Sequence, residues 1–335
     1  MNKSRFRSAL AALAVVAAGL ASGAAQAAYV LNEVARPGAA STALWDINNA
    51  GVMVGYSLAG SGPADFTSAF VFDGTTYTAL TGPAGAVSTA ALGISDGGKV
   101  VGSFNTSSSV DGSGNPVLDG AQGFIYQGGV YTPFSVAGAL ETNLRGVSSD
   151  GRYLSGYYST AAQVGVGFVY DTLTNSLQIV SKPNSTFTIA QGINSSGVLV
   201  GSDILSGPPT TRPGFLYDIG TGTRTDQSIA GAFRTAIRSI ADDGLLAGWF
   251  LDASGDQHGF VGSVSSFEQI DFTGAESTYV EGSNNARFLV GGYSINGVAH
   301  AFLATPVATP GTLALLALGL GALAYTSVRR RGGAA

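Results

Sequence analysis

No cysteine occurs in the 335 residues, and there are only two histidines, His258 and His300. The first absence excludes disulfides, thiolate zinc sites, iron–sulfur clusters and a cysteine nucleophile. The second excludes a multi-histidine metal site. Charge is also scarce, at 11% of residues against a usual share of about 25%. Disorder is excluded too, because 45% of residues are apolar and 13 tyrosines and 17 phenylalanines are present. Six of the 16 basic residues sit at the two ends, leaving ten basic and 21 acidic residues between them, a formal net charge of −11. A body of that sign repels phosphate backbones, so nucleic acid is not an expected partner. The chain has no Gly-x-Ser-x-Gly elbow with a partnered histidine, no phosphate-binding Gly-Lys-Ser/Thr and no His-Glu-x-x-His.

What is present begins with the ends. Lys3, Arg5 and Arg7 precede an apolar stretch from Ala9 to Leu20, and Ala25-Gln26-Ala27 supplies small residues for a signal peptidase. That arrangement predicts a secretory signal over residues 1–27 and a mature chain starting at Ala28 or Tyr29. A second apolar run, Gly311 to Val328, is followed by Arg329, Arg330 and Arg331. As a helix it reaches about 27 Å, enough for a bilayer core, with the arginines held on the cytoplasmic side of the inner membrane. The stretch from Val307 through Pro310 and Gly311 to the closing arginines resembles a PEP-CTERM sorting signal of Gram-negative bacteria, with Ala308-Thr309-Pro310 where Pro-Glu-Pro would stand. The resemblance implies that residues 306–335 are a sorting and transmembrane segment. It implies as well an exosortase-type sorting enzyme as partner, and delivery to the envelope surface or extracellular matrix.

Between the ends the chain repeats itself. Ile47-Asn48-Asn49-Ala50-Gly51-Val52-Met53-Val54-Gly55 recurs as Ile94 to Gly102, Val147 to Gly156, Ile193 to Gly201 and Ile240 to Gly248, with a worn copy ending at Gly291. Each is followed by a Gly or Ala, a Phe and another apolar residue: Ala69-Phe70, Gly123-Phe124, Gly167-Phe168, Gly214-Phe215, Gly259-Phe260 and Ala301-Phe302. A Gly- or Asp-containing turn then leads to short runs such as Tyr77 to Leu80 and Phe267 to Ile270. Each unit reads as four short strands, since β-branched and aromatic residues favour the pleated backbone and Gly, Asn and Asp punctuate it. The middle strands are apolar on both faces, as in sheets covered on both sides.

Four strands repeating at this period predict an all-β chain, a six-bladed β-propeller of four-stranded antiparallel blades over residues 28–305, with seven blades as the alternative. The last unit lacks its fourth strand. Leu31-Asn32-Glu33-Val34 matches Phe267-Glu268-Gln269-Ile270, so the N-terminal segment is expected to close the ring. The repeated unit, with His258-Gly259-Phe260 and His300-Ala301-Phe302, resembles the extracellular repeats of the HAF family. That implies an exported bacterial repeat protein with no assigned activity.

The repeated Gly, Phe and Ile are framework, and no catalytic or cofactor-binding residue is expected. His258 and His300 occupy equivalent places near the start of a strand. Asp111-Gly112-Ser113-Gly114 and Asp252-Ala253-Ser254-Gly255-Asp256 have oxygen-rich spacing suited to calcium, with Asp252 and Asp256 the better candidates, or to simple Asx turns. Asp242-Asp243 is read as a strand pair pointing apart. Asn105 to Ala121 reads as a long irregular insert able to carry a unique binding loop. The expectation is a non-enzymatic, exported binding or scaffold protein whose partner is an extracellular polysaccharide or matrix protein. The alternative is a polysaccharide hydrolase or lyase, which would need several non-repeated polar residues on one face.

Overall fold

The computed structural model describes residues 28–59, 67–110, 116–161, 165–182, 185–205 and 212–307, and among them every regular element is a β-strand. The expected signal segment, Asp111, the C-terminal helix and Pro310, Gly311, Arg329, Arg330 and Arg331 lie outside the described residues. Among the described residues no helix is long and apolar enough to cross a membrane.

After β1 (Ala28–Val34) come β2 (Ser41–Ile47), β3 (Met53–Leu58), β4 (Ser68–Phe72) and β5 (Tyr77–Leu80), paired in that order as one sheet. β6 (Ser88–Ile94) and β7 (Val100–Asn105) are separated from β10 (Gln122–Gln127) and β11 (Val130–Phe134) by a hairpin of β8 (Ser107–Val110) and β9 (Pro116–Asp119). The four longer-range partners form a second sheet in the order β11-β10-β7-β6. The insert expected to be irregular therefore contains a two-stranded sheet, with Ser107 opposite Asp119. A third sheet comprises β12 (Glu141–Val147), β13 (Tyr153–Ser159), β14 (Val166–Asp171) and β15 (Ser176–Ile179). A fourth comprises β16 (Ser185–Ile193), β17 (Val198–Leu205), β18 (Gly214–Asp218) and β19 (Thr223–Gln227).

The remaining strands are β20 (Arg234–Ile240), β21 (Leu246–Leu251), β22 (Gln257–Ser263), β23 (Ser266–Ile270), β24 (Ser277–Ser283), β25 (Leu289–Ile295) and β26 (Val298–Val307). They form one eight-stranded sheet, ordered β1-β26-β25-β24-β22-β21-β20 with β23 on β22. Four blades thus stand as separate four-stranded sheets, where the sequence predicts six. The last two units are fused by one parallel pairing, Gln257 with Ser277. The first strand of each unit touches the next in a closed cycle, β2, β6, β12, β16, β20, β24 and back to β2. That cycle makes the body, Leu31–Thr305, a β-propeller with these strands innermost.

The repeat residues explain this packing. Phe70, Phe124, Phe168, Phe215, Phe260 and Phe302 are all fully buried, one in each unit. Each closing glycine faces a carbonyl of the inner strand: a side chain at Gly55, Gly102, Gly156, Gly201, Gly248 or Gly291 would run into the carbonyl of Ala43, Ala90, Asn143, Ile189, Ala236 or Tyr279. In the first turn Asn48 Oδ1 accepts the amides of Ala50 and Val52, and Gly51 takes the positive φ of 81° that closes it.

β1 lies beside β26 as the pattern predicts. Glu33 Oε1 is 2.9 Å from His300 Nδ1 across that pairing, and Val34 packs against the cluster of Leu44, Phe70, Val290 and Ala301.

Candidate functional site

In every inner strand the ladder slips at the same point: between Leu44 and Asp46, Ala91 and Gly93, Leu144 and Gly146, Ala190 and Ile193, Ile237 and Ser239, and Val280 and Gly282. A β-bulge of this kind re-aims the side chain it frees. The freed residues are Trp45, Leu92, Arg145, Gln191, Arg238 and Glu281, and all six line one axial cavity of about 60 Å³. That volume accommodates a few waters and no sugar ring.

The next position is held to small residues because neighbouring inner strands come close. A Cβ at Gly192 would lie 2.8 Å from the Arg238 carbonyl oxygen, and one at Gly282 would lie 2.7 Å from the Asp46 Cα. Where the position carries a functional group, that group bridges blades. Asp46 accepts the Ile94 amide at 2.9 Å and that of Ile47 at 2.9 Å, and Ser239 Oγ accepts the Ser283 amide at 3.1 Å. Burial pushes the Asp46 carboxyl up to about 7, against the pull of those two amides.

Glu281 is buried and sits 3.4 Å from the Arg238 guanidinium. Burial raises its carboxyl above the usual range, with Arg238 and then Arg145 opposing. Arg145 lies over the rings of Trp45 and Tyr157, at 5.2 and 5.4 Å. Arg238 lies over Trp45 and Trp249 at 5.9 and 5.6 Å, and Arg234 over Trp249 at 4.7 Å. Arg212 is bridged to Arg234 through the backbone. Burial lowers the Arg234 guanidinium, and the neighbouring charges of Arg238 and Arg212 add to that. Tyr279, beside Glu281 and Tyr56, is pushed up to about 12, mainly by burial.

Just beyond the bulges, at the same end of the inner strands, the turns form a polar belt whose Asn49, Asp96, Asp242 and Asn285 also line the cavity. Asp96 accepts the Asn49 amide at 2.9 Å and its side-chain nitrogen at 2.8 Å. Asp242 accepts hydrogen bonds from Ser195 N and Oγ, Ser149 Oγ and Asn285 Nδ2, at 2.7–3.0 Å. Asn285 N donates to Asn49 Oδ1 at 2.9 Å, closing the circuit. Burial would raise the Asp242 carboxyl, but the hydrogen bonds of Asn285, Ser195 and Ser149 outweigh it and bring the group down to about 2. Asp242 and Asp243 lie in a turn and not on a strand, since Ala241 to Leu245 connects β20 to β21.

Of the residues singled out from sequence, Asp242 lines the cavity and the other described ones lie elsewhere. Asp252 Oδ1 accepts the amides of Ser254 and Asp256 at 2.8 and 2.9 Å, an Asx turn. His258 sits against Asp271 at 3.0 Å, and His300 against Glu33 on a different blade edge. Among the described residues no group of three or more His, Asp or Glu is arranged to hold a metal ion. The axial residues were missed because they do not repeat. Their signal is a column that varies, two places before the repeated Ile or Val (Ser283 in the worn copy), inside an otherwise regular unit.

No protein-family profile matches the chain, and no curated protein matches it. Solved structures do resemble it. TolB from Acinetobacter baumannii superposes with a TM-score of 0.49 at 14% identity, covering 76% of this chain and 63% of that one. A Trypanosoma rangeli sialidase complex gives 0.48 at 12%, covering 83% and 58%. The β-propeller domain of the Trilobed protease from Pyrococcus furiosus gives 0.46 at 9%, covering 79% and 94%. The chain thus spans less than two thirds of the TolB and sialidase chains. At such identities none of them brings a residue or an activity to this chain, and the fold assignment rests on the strand pairing above.

Proposed function

We propose that the protein is an exported, envelope- or matrix-associated propeller that binds an extracellular polysaccharide or matrix protein without turning it over. On this reading the ring has six blades, one per cyclic inner strand, and the PEP-CTERM-like tail delivers it through an exosortase-type enzyme. One observation carries the binding assignment. Six residues of five different kinds occupy the single repeated bulge position and converge on the axis, where uniform framework would suffice for folding.

A hydrolase or lyase is the second reading, favoured by two axial carboxylates, Asp46 and Glu281, both raised by burial. Against it, Asp46 is tied to two amides and Glu281 to Arg238, which leaves no free acid and base flanking an open space. A glycan-array screen of the purified mature protein, run beside a hydrolysis assay, tests the proposal. Binding with no turnover supports it. Turnover abolished by Glu281→Gln would replace it with the enzyme.

A further inference from the structure

Four of the body's ten basic residues and both tryptophans of the chain collect in one place. Arg212, Arg234, Arg238 and Arg145 alternate there with Trp249, Trp45 and Tyr157. Only Glu281 among the described carboxylates is ion-paired to any of these four arginines. The rest of the body is strongly acidic, so this local excess of positive charge is not part of a general surface trend.

A second observation comes from hydrogen bonding. Among the described residues, the buried side-chain atoms without a hydrogen bond are the Nε atoms of Arg145, Arg212, Arg234, Arg238 and Arg224, and Nε2 of Gln191; of these, Arg238 Nε faces Glu281 at 3.4 Å and Arg224 Nε faces Asp226 at 3.6 Å. All but Arg224 belong to this cluster or to the ring of bulge residues beside it. Every one is a donor. Gln191 is 4% exposed and lines the axial cavity. Buried donors without acceptors call for a ligand that brings acceptors. Guanidinium planes fixed on indole faces suit a planar carboxylate, which takes two parallel N–H bonds from such an edge.

We propose that the arginine–tryptophan cluster of Arg145, Arg234, Arg238, Trp45 and Trp249 is the ligand site, and that it takes a carboxylate-bearing sugar of an acidic polysaccharide. This rests on the binding function proposed above and adds the chemistry of the ligand. Only the carboxylate enters to meet the arginine edges, and the sugar ring, too large for the axial cavity, stays at its mouth. The acidic body repels the rest of a polyanion, so the site captures one or two sugar units locally and does not coat itself along a chain. Binding therefore weakens as salt screens the local attraction.

The test is calorimetric titration of the mature protein with a trigalacturonate and with the same oligosaccharide after carboxyl reduction. The acidic probe is expected to bind at least about tenfold more tightly, one charge-assisted contact's worth. Arg145→Gln and Arg234→Gln should each weaken it by a similar factor with an unchanged melting temperature. Where either variant fails to fold, the two probes on the unaltered protein decide. Equal binding of both probes, or acidic binding indifferent to both substitutions, overturns the acidic-sugar assignment while the binding function stands. Failure of both probes, with no ligand found on the glycan array, overturns both.

Discussion

Crowding at the axis makes single atoms count. Gly146 is the sharpest case, because a Cβ there would meet the Gln191 carbonyl oxygen and lie 2.7 Å from Ser155 Oγ. Neither neighbour is the free end of a flexible side chain. Gly146→Ala is expected to cost about 1–3 kcal/mol, the usual penalty for overpacking. Gly97→Ala, where the nearest atom is 4.0 Å away, should be close to neutral, and urea unfolding of the pair separates the two. Asp46 gives a pH signature at the same level. Its folded carboxyl, pushed up to about 7 by burial, lies above its ordinary 3.8. The folded state therefore binds the proton more tightly. The stabilisation is complete below about pH 4 and is lost as pH rises through about 7, a span worth up to about 4 kcal/mol. Ser239 holds the equivalent place in another unit and still bridges to its neighbour. Asp46→Ser should accordingly flatten the slope of melting temperature against pH between 4 and 7, and an unchanged slope would assign it to another group.

Strands show which features the sequence could convey. Outer strands rich in apolar or aromatic residues, such as Tyr77–Leu80 and Ser266–Ile270, stand where their patterns place them. β19, Thr223–Gln227, carries no apolar residue beyond threonine's methyl and gives no alternation. It is a strand because β18 offers it a ladder from Gly214 to Asp218, which is tertiary context and not local propensity. The inner bulges were illegible for a related reason. Trp45, Arg145 and Glu281 share a backbone position but no chemistry, so the repeat supplied no common residue to recognise. Ring closure was legible because Leu31–Val34 copies the spacing of an outer strand already seen. The structure refines its energetics: Leu31 and Val34 are half-buried, so their burial contributes roughly 1.5–3 kcal/mol, to which the lost ladder with β26 adds. Deleting Tyr29 to Val34 should lower the melting temperature markedly and promote aggregation through the bared edge. Truncation after Val307 should leave melting unchanged. Equal melting of the N-terminal deletion and the intact body would show that β1 does not close the ring.

At the scale of the whole molecule, the question is how repeats that could melt one by one act as a unit. An open array frays from its ends, but here the turn belt joins the first repeat unit to the last. Asn284 Nδ2 donates to the Asn48 carbonyl at 2.9 Å and Asn285 N to Asn49 Oδ1 at 2.9 Å, across 236 positions of sequence. Asp242 is the node of this belt. It joins its own unit to Ser149, Ser195 and Asn285, residues of three other units, and the bond from Ser149 skips a unit. Asp242→Ala removes one charged acceptor from four donors. The expected cost is about 1.5–3 kcal/mol at pH 7, the worth of one charged hydrogen bond and not of four, because the belt is partly wetted. The sign with pH is opposite to that of Asp46. The Asp242 carboxyl is held at about 2, below its ordinary 3.8, so its contribution is present above about pH 4 and is lost as pH falls towards 2. The gap between variant and parent should therefore close in acid. Because the node couples four units, the variant should still unfold in one calorimetric transition, shifted down, with van't Hoff and calorimetric enthalpies equal. A split transition in the variant, with the parent single, would mean that the belt fastens the units without making them cooperative.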